Sequence, residues 1–368
     1  MRRIAVLANG PGELWGWCRP VVKAMKDEGH HVDLFLLPCQ YASGAEERLA
    51  RLLGADRVVS PAGFPKEISG GKSRLDGVLQ LGGDLLYGRL LASRRGSPLF
   101  SYSYGPKKGL GACRLVLTAC EPMVAPIRQV AGRSSVEVVG NLVADALEMD
   151  RGAVPWEENG RLNVAVFPGS RPVIRRKALP FMTEFLACAK RLLPEAQWVV
   201  LLSPFCEPEE ALLWEKAGFA VCRAGAGVAL RGADVALTQP GTNTLELFHA
   251  GVPSVVAVPE VFLADVPAPT LLAPLFNLPG VGPFVKRRAF RRYIAKRGFL
   301  SWPNRLARKE VFPEITGKIC PETLARRFTS YAGNTEWIES TRKALGQIDG
   351  GPSNAAVRLR ERIMETLA

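Results

Sequence analysis

Histidine is scarce and cysteine is never clustered in this chain of 368 residues. There are only three histidines, which argues against a histidine-dependent catalytic triad or a histidine-rich metal site. The eight cysteines are scattered, and no CxxC pair occurs, so the usual zinc and redox spacings are excluded and reduced thiols are expected. These absences argue against a zinc site or a histidine-rich metal site, and we expect no bound metal ion and no cofactor.

Long apolar runs are also missing. No stretch approaches the roughly 20 apolar residues of a membrane-spanning helix. The apolar run Ile4–Ala8 is too short for a signal peptide and ends at a loop rich in glycine, so it predicts a buried strand. Hydrophobic residues make up 47% and charged residues 23% of the chain, which is ordinary for a globular protein. We expect a cytoplasmic protein, soluble or peripherally bound to the inner membrane.

Acidic residues are absent from 266 to 309, although the chain as a whole carries a net charge of +13. The basic segment, defined here as residues 284–309, combines clustered lysines and arginines with aromatic side chains. This composition suits an anionic membrane surface or a lipid-linked substrate. Two alternatives stay open: a solvated basic face whose aromatic residues enter the core, and RNA binding. Of these partners, we expect the anionic membrane and no nucleic acid.

Short apolar runs alternate with helical patterns along the chain, which is typical of parallel, doubly wound α/β sheets. The predicted strands are Ile4–Ala8, Val32–Leu37, Arg57–Val59, Gly77–Leu81, Leu99–Tyr102, Leu115–Thr118, Val136–Val139, Leu162–Phe167, Trp198–Leu202, Ala220–Cys222, Asp234–Thr238 and Ser254–Val258. The pattern restarts after a polar linker at 150–161. We predict Rossmann-like domains at 1–150 and 151–335, facing each other across a cleft, and a helical tail at 336–368 that returns to the first domain.

Two loops in the second half have the composition of a phosphate- or nucleotide-binding site, although neither GxGxxG nor GxxxxGK[ST] occurs. In the first of these loops, backbone N–H groups at Gly169 together with Ser170 and Arg171 can bind a diphosphate at a helix N-terminus. A plain turn with an exposed arginine is the alternative.

The second loop comprises Gly241, Thr242, Asn243 and Thr244 and leads into a helix that carries Glu246. The threonines can serve simply as helix caps. Glu246, one turn into the helix, has a carboxylate that can accept hydrogen bonds from two ribose hydroxyls.

The first half offers two carboxylates after predicted strands. Glu13 ends the loop that contains Gly12, whose missing side chain lets a ligand approach the backbone. Asp84 follows the strand Gly77–Leu81 and could act as the base for a sugar hydroxyl. The alternatives are a tight turn for the first loop and a helix N-cap for Asp84.

These elements together resemble the lipid-A-disaccharide synthase family, whose members are GT-B glycosyltransferases. The most specific likeness is SWPNRLARKEVFPE at 301–314, similar to the family's LPNLLAGREVVPE. FPGSR at 167–171 is similar to LLPGSR, GTNTLE at 241–246 to SGTATLE, and VGNLVAD at 139–145 to VGHPLVD. The four motifs stand in the same order, and the resemblance covers roughly residues 1–330.

The resemblance implies an inverting, metal-independent transfer from a UDP-sugar held mainly by the second domain. It implies that the loop around Arg171 holds the diphosphate, that Glu246 holds the ribose, and that Asn304 lies at the cleft. Arg305 and Arg308 add cations in the same segment. It also implies an acceptor with phosphate and acyl chains that arrives from the membrane. Glu13 matches the glutamate of the family's GExSGD motif, and Asp84 matches an aspartate considered for the base.

The first domain departs from the family pattern in several places. Leu14-Trp15-Gly16 replaces Ser-Gly-Asp, the segment 101–107 replaces SPSVWAW, and Asn141 replaces a histidine. In the second domain, Pro240 stands at the serine of Ser-Gly-Thr. We therefore expect transfer of a glucosamine-type sugar to a phosphorylated lipid, as in lipid A disaccharide synthesis, or to a related glycolipid. A UDP-GlcNAc epimerase and an inactive UDP-sugar- or lipid-binding protein remain alternatives, and homodimerisation stays open.

Overall fold

The computed structural model describes residues 1–39, 44, 46–70, 74–169, 172–203, 206–263, 288, 292 and 298–368. The chain divides into a first unit, Met1–Met149 with Asp349–Ala368, and a second unit, Asp150–Ile348. Within the described ranges, no helix has both the length and the apolar character that a bilayer crossing requires.

A parallel sheet forms the centre of the first unit. Its strands are β1 (Arg3–Ala8), β2 (His31–Leu36), β3 (Arg57–Val59), β4 (Gly77–Gln80), β5 (Leu99–Tyr102), β6 (Leu115–Thr118) and β7 (Ser135–Val138). They pair in the order β3-β2-β1-β4-β5-β6-β7. The helices are α1 (Pro11–Glu13), α2 (Arg19–Asp27), α3 (Glu46–Ala50), α4 (Phe64–Gly70), α5 (Leu85–Arg95), α6 (Val124–Ala131) and α7 (Leu142–Met149). Helices cover both faces of a parallel sheet, so the side chains on both faces of its strands are buried and apolar.

The second unit is built in the same way. Its strands are β8 (Asn163–Val166), β9 (Gln197–Leu201), β10 (Ala220–Cys222), β11 (Val235–Thr238), β12 (Ser254–Pro259) and β13 (Glu314–Gly317), paired in the order β10-β9-β8-β11-β12-β13. The helices are α8 (Pro172–Leu192), α9 (Pro208–Lys216), α10 (Ala226–Leu230), α11 (Asn243–His249), α12 (Glu260–Leu263), α13 (Trp302–Ala307), α14 (Pro321–Ala332) and α15 (Thr335–Leu345). An aromatic cluster of Phe185, Trp198 and Phe328 packs between this sheet and its helices.

The predicted fold class is confirmed, since both sheets are parallel and doubly wound. All twelve predicted strands are present with ends shifted by at most one residue. The thirteenth strand, β13, was not predicted, because Ile315 is the only large apolar residue among its four, Glu314–Gly317, so no apolar run marks it. It pairs with β12 through Ile315, which lies opposite Ala257.

The C-terminal tail differs from the prediction, which placed its start at 336. Helix α15 belongs to the second unit, where Trp337 packs against Tyr331 with ring centroids 5.0 Å apart. The chain returns to the first unit at Asp349. Helix α16 (Ala355–Leu367) then begins beside α7, where the carboxylate of Asp145 accepts hydrogen bonds from the backbone N–H groups of Ala355 and Ala356.

Candidate functional site

The switch point of the first sheet lies between β1 and β4. The chain runs from β1 to β2 and β3 on one side, then crosses to β4 on the other. Doubly wound sheets bind their ligands beyond the carboxyl ends of the strands at such a point. The strands β1 and β4 lead here into the loop that carries Gly12 and Glu13 and into the loop 82–84. Both candidate carboxylates of the first unit therefore follow the strands that flank the switch point.

The carboxylate of Glu13 lies directly against Gly82. A Cβ atom at position 82 would come within 1.8 Å of Glu13 Oε2, so only glycine leaves room for this group. The backbone N–H of Asn9 donates to the same oxygen over 3.2 Å. Burial is the largest influence and raises the pKa of Glu13, while the charge of Lys107 and backbone hydrogen bonds oppose this rise. A carboxyl group in this setting is suited to proton transfer.

Lys107 is a candidate residue that the sequence analysis did not single out. It follows β5, the neighbour of β4, in the segment that departs from the family's SPSVWAW motif. Burial lowers the pKa of its ammonium group, whereas the negative charge of Glu13 raises it. Among the described residues, none forms an ion pair with Lys107. Its sequence position carried no signal that separates it from Lys108, which follows the same strand.

Asp84 occupies the position of a helix cap. Its side chain is exposed, and Oδ1 accepts a hydrogen bond of 2.9 Å from the backbone N–H of Leu86 at the start of α5. This is the geometry of an N-cap aspartate, the alternative that the sequence left open. Of the two candidate bases, Glu13 is thus the partly buried one, and Asp84 is already engaged in capping.

Several first-unit positions that depart from the family motifs lie together. Trp17 Nε1 donates to the hydroxyl of Tyr104 over 3.2 Å, and that hydroxyl donates to Asn141 Oδ1 over 2.5 Å. The rings of Trp17, Tyr102 and Tyr104 pack edge to face. Trp17 enters this cluster from a π-helical turn that begins directly after Glu13, and such turns are frequent at functional sites. Three of the departing positions, Tyr102, Tyr104 and Asn141, thus form one cluster with Trp17, which lies four residues after Glu13 in the chain.

A pocket of about 190 Å³ opens at the carboxyl ends of β1 and β2. Leu14, Leu36 and Leu37 contribute apolar walls, and the Asn9–Gly10 turn forms another. The pocket and Glu13 consequently share one loop. Glu46 and Glu47 also line the pocket, but most of its lining is apolar, and its size suits a small apolar part of a substrate.

The second sheet has its switch point between β8 and β11. Here the amide of Gln239, which follows β11, donates to the carbonyl of Pro168, which follows β8, over 3.0 Å. Gly169 has φ of 112°, and a Cβ at this position would lie 3.3 Å from Gln239 Oε1. The two predicted nucleotide-binding loops are thus in contact. Gln239 was not singled out in the sequence, and Ser170 and Arg171 lie outside the described residues.

The loop 241–244 is tied to α13 through one hydroxyl. Thr244 is fully buried; its Oγ1 donates to the carbonyl of Gly241 over 2.8 Å and accepts from the backbone N–H of Trp302 over 3.1 Å. Thr242 stands at the N-cap of α11 without a side-chain capping bond. Asn243 opens the helix, and Glu246 follows one turn later, partly buried. Gly241 has φ of 152°, and because it has no side chain, its backbone is open to an approaching ligand.

The side chain of Asn304 is bonded to the protein's own framework. Its side chain is 0% exposed. Nδ2 donates to the carbonyl of Phe312 and to Glu314 Oε1, while Oδ1 accepts from the N–H groups of Val311 and Phe312, all within 2.8–2.9 Å. A primary amide has two donors and two acceptor positions, so this one has no capacity left for a ligand.

The two arginines of the same segment differ in their surroundings. The guanidinium of Arg305 lies 3.9 Å from the ring centre of Trp302, a cation–π contact. Arg308 is exposed and ends α13 in the left-handed region, with φ of 54°, where the family's motif has glycine. The predicted basic segment, 284–309, is described only at Arg288, Arg292 and from 298 onward, so most of that prediction lies outside the described residues.

No protein-family model matches the chain, and no curated protein is significantly similar to it. Solved structures do match. MurG of Acinetobacter baumannii covers 99% of this chain and 100% of its own with a TM-score of 0.58 at 15% identity. The match with CalG4, the calicheamicin glycosyltransferase, covers 100% of this chain and 98% of CalG4, with a TM-score of 0.57 and 14% sequence identity. The match with a Listeria monocytogenes protein assigned as a UDP-N-acetylglucosamine 2-epimerase covers 98% of this chain and 94% of that protein. Its TM-score is 0.59, and the sequence identity is 10%.

These likenesses extend over nearly the whole chain, yet the identities are too low to show more than the fold. The fold is that of the GT-B glycosyltransferases, with one parallel doubly wound sheet in each unit. The same fold serves a transferase and an epimerase among these neighbours, so activity has to be argued from the side chains.

Proposed function

We propose that the chain is an inverting glycosyltransferase that uses a UDP-sugar. The observation that carries the proposal is the contact between the two strand-end loops at the second switch point, where Gln239 donates to the carbonyl of Pro168. Nucleotides bind at this place in doubly wound folds. A nucleotide-sugar donor is also in keeping with the neighbours, one of which is named for UDP-N-acetylglucosamine.

In this proposal, the second unit holds the donor mainly through its backbone. Gly169 and Gly241 have positive φ and no side chain, so N–H groups at the starts of α8 and α11 can approach a diphosphate. Ser170 and Arg171 add a hydroxyl and a charge. Glu246 accepts hydrogen bonds from the ribose. Helix N-termini and cations stabilise the leaving diphosphate, and this chemistry requires no metal.

Glu13 acts as the base in the first unit. It takes the proton of the acceptor hydroxyl while that oxygen attacks the anomeric carbon and the bond to the diphosphate breaks. The raised pKa of Glu13 supports this role, because a base works best when its pKa is close to the operating pH. Lys107 limits the rise and so keeps the carboxyl group ionisable.

The proposed acceptor is a phosphorylated lipid, and the transferred sugar is of the glucosamine type, as in lipid A disaccharide synthesis or a related glycolipid pathway. The apolar pocket beside the loop of Glu13 supports an acceptor with an apolar part. Lys107 supports an acceptor that carries negative charge. Peripheral association with the inner membrane through 284–309, a cytoplasmic location and homodimerisation belong to the same proposal.

The test is a thermal-shift screen of UDP-sugars combined with mass spectrometry, with and without a membrane lipid extract. We expect stabilisation by one UDP-sugar and a new glycolipid mass when lipid is present. Glu246→Gln should weaken UDP-sugar binding about tenfold or more, since it removes a charged acceptor. Glu322→Gln, an exposed acid on α14, is the matched control. No response to any UDP-sugar would refute the proposal.

A UDP-GlcNAc epimerase is the second candidate, favoured by the neighbour of that assigned activity, whose TM-score equals those of the transferases to within 0.02. Incubation with UDP-GlcNAc alone separates the two activities, because an epimerase forms product without an acceptor. A third candidate, an inactive binding protein, is suggested by the departures from the family motifs in the first unit, which meet around Tyr104. It predicts binding of UDP without turnover across a broad set of acceptors.

A further inference from the structure

Helix α5 presents leucines and arginines to solvent along one face. Leu86 and Leu90 are 52% and 41% exposed, and Arg89 and Arg94 are exposed beside them. Positions 86, 90 and 94 follow one another at intervals of four, and 89 lies one position before 90, so the four side chains share one surface of the helix. We call this set, Leu86, Arg89, Leu90 and Arg94, the α5 face.

The opposite side of α5 is fixed to the sheet. The side-chain amide of Gln80 donates to the carbonyls of Gly82 and Asp84 and accepts from the backbone N–H of Gly88, each within 2.8 Å. A Cβ atom at Gly88 would come within 2.3 Å of Gln80 Oε1. The helix therefore cannot rotate to bury its leucines, and the α5 face is a permanent surface next to the loop that contacts Glu13.

The charge of this surface has one sign. Helix α5 contains no acidic residue, and neither Arg89 nor Arg94 forms an ion pair or hydrogen bond with a described residue. The third arginine, Arg95, is by contrast paired with Glu67. Exposed Lys108 adds a further cation, because the adjacent Gly109 approaches Leu85 and Arg89. The α5 face thus offers unpaired cations interleaved with aliphatic side chains.

We propose that the α5 face docks on a membrane surface of anionic lipid. Arginines attract the headgroups while exposed leucines enter the interface. Self-association through this face would set the arginines of one copy against those of another across a two-fold axis. Single-stranded nucleic acid would require exposed aromatic rings for stacking, and the α5 face has none. Docking here brings the loops of the first switch point to the lipid surface, and it uses residues outside 284–309.

Helix α9 provides a matched control within the same chain. Leu212 and Leu213 are 52% and 44% exposed, at least as much as the leucines of α5, but α9 also carries the exposed acids Glu209 and Glu215. Apolar exposure is therefore similar on the two helices, and the charge differs. Of these two helices, only α5 is expected to bind anionic lipid.

The test is co-sedimentation of the full chain with vesicles of phosphatidylcholine, with or without phosphatidylglycerol, in the absence of any sugar nucleotide. We expect binding only to the anionic vesicles, and a loss of about tenfold or more in both L86E/L90E and R89E/R94E. L212E/L213E should bind as the wild type does. Because no turnover is measured, this result is independent of the proposed transferase activity.

Two controls keep the test decisive. Thermal unfolding must match the wild type in each variant, as expected for exposed positions. Wild-type binding by L86E/L90E and R89E/R94E, or no wild-type binding to anionic vesicles, would overturn the proposal. The proposal would also be overturned if the wild type bound a single-stranded RNA and R89E/R94E lost this RNA binding but still bound the vesicles.

Discussion

The two switch points of the molecule carry different kinds of side chain. At the second, the side chains of Gln239 and Thr244 are bonded to the protein itself, Gln239 to Pro168 and Thr244 to Gly241 and Trp302. At the first, Glu13 lies close to a lysine without forming an ion pair, and burial shifts both groups toward their neutral forms. Satisfied polar groups hold loops in place, whereas titratable groups exchange protons. We therefore call the loops of the second switch point the platform, and we propose the first unit as the reactive half.

The segment with the closest family resemblance belongs to the platform. In 301–314, Glu314 accepts hydrogen bonds from the N–H groups of Leu300 and Ser301 as well as from Asn304. The similarity of this segment reports a buried polar network that holds α13 against the loop of Thr244. Likeness in sequence thus marks the scaffold here, and the residues proposed for catalysis lie where the resemblance is weakest.

The largest effect is expected from Glu13→Gln, which keeps the size of the side chain and removes the base. We expect kcat/KM for transfer to fall by about 10²–10⁴-fold. Asp84→Asn is the matched change at the competing carboxylate, and it should leave transfer nearly unchanged because asparagine is also a good N-cap. Steady-state kinetics of the two variants decide the question. A large loss in Asp84→Asn with normal activity in Glu13→Gln would reverse the assignment.

Asn304→Ala should cause the largest loss of stability. It removes four hydrogen bonds and leaves the carbonyl of Phe312 and one oxygen of Glu314 short of a buried donor. We expect the free energy of unfolding to fall by about 3 kcal/mol. Urea denaturation followed by tryptophan fluorescence measures this loss, with Asn243→Ala at the partly exposed start of α11 as control. Unchanged stability together with lost UDP-sugar affinity would make Asn304 a ligand residue after all.

The sequence was sufficient for the sheets and for the order of their loops. Buried parallel strands appear as short apolar runs, and Gly-rich loops after such runs mark the carboxyl ends of the strands. It could not separate a side chain that binds the protein from one that binds a ligand. Asn304 and Asp84 have residue types suited to either role, and the choice depends on contacts with residues such as Phe312 that no local pattern encodes.

Lys107 illustrates the same limit in the opposite direction. Nothing in its own loop distinguishes it from Lys108, its neighbour in sequence, which is exposed. Only the packing of three strand-end loops brings it within electrostatic reach of Glu13. Non-local charge pairs of this kind depend on tertiary structure, so a reading of local motifs passes over them.

Lys107→Met tests the coupling between these two groups. The lysine opposes the rise in the pKa of Glu13, so its removal should raise that pKa further. Because the base must be ionised, activity falls as the pH drops through the pKa of Glu13. The acidic limb of kcat/KM should therefore move to higher pH in Lys107→Met, stay in place in Lys107→Arg, and remain unmoved in the exposed control Lys108→Met. If the acidic limb does not move in Lys107→Met, the charge of Lys107 does not affect the pKa of Glu13.

Protein stability offers a second view of the same carboxyl group, independent of turnover. A carboxyl whose folded pKa is raised stabilises the protein fully below its unfolded pKa, near 4.5, and this contribution is lost as the pH rises through the folded pKa. Unfolding free energies measured across that window should decline in the wild type. The decline should be weaker in Glu13→Gln, which cannot ionise. Identical pH dependence of the two proteins would mean that burial does not shift this group.

The smallest expected effect concerns two non-glycine residues that have positive φ among the described residues, one in each unit: Arg308 at 54° and Asn354 at 57°. A side chain other than glycine or asparagine is unfavourable in this region, so Arg308→Gly should raise the free energy of unfolding by about 1 kcal/mol. Asn354→Gly should gain less, because asparagine tolerates the conformation. Thermal unfolding and UDP-sugar titration of both variants separate conformation from binding. If Arg308→Gly is more stable yet binds the sugar nucleotide less tightly, the arginine is retained for its charge at the donor platform. If it gains stability and keeps full affinity, Arg308 has no part in donor binding, and the donor's negative charge is met by other groups of the second unit.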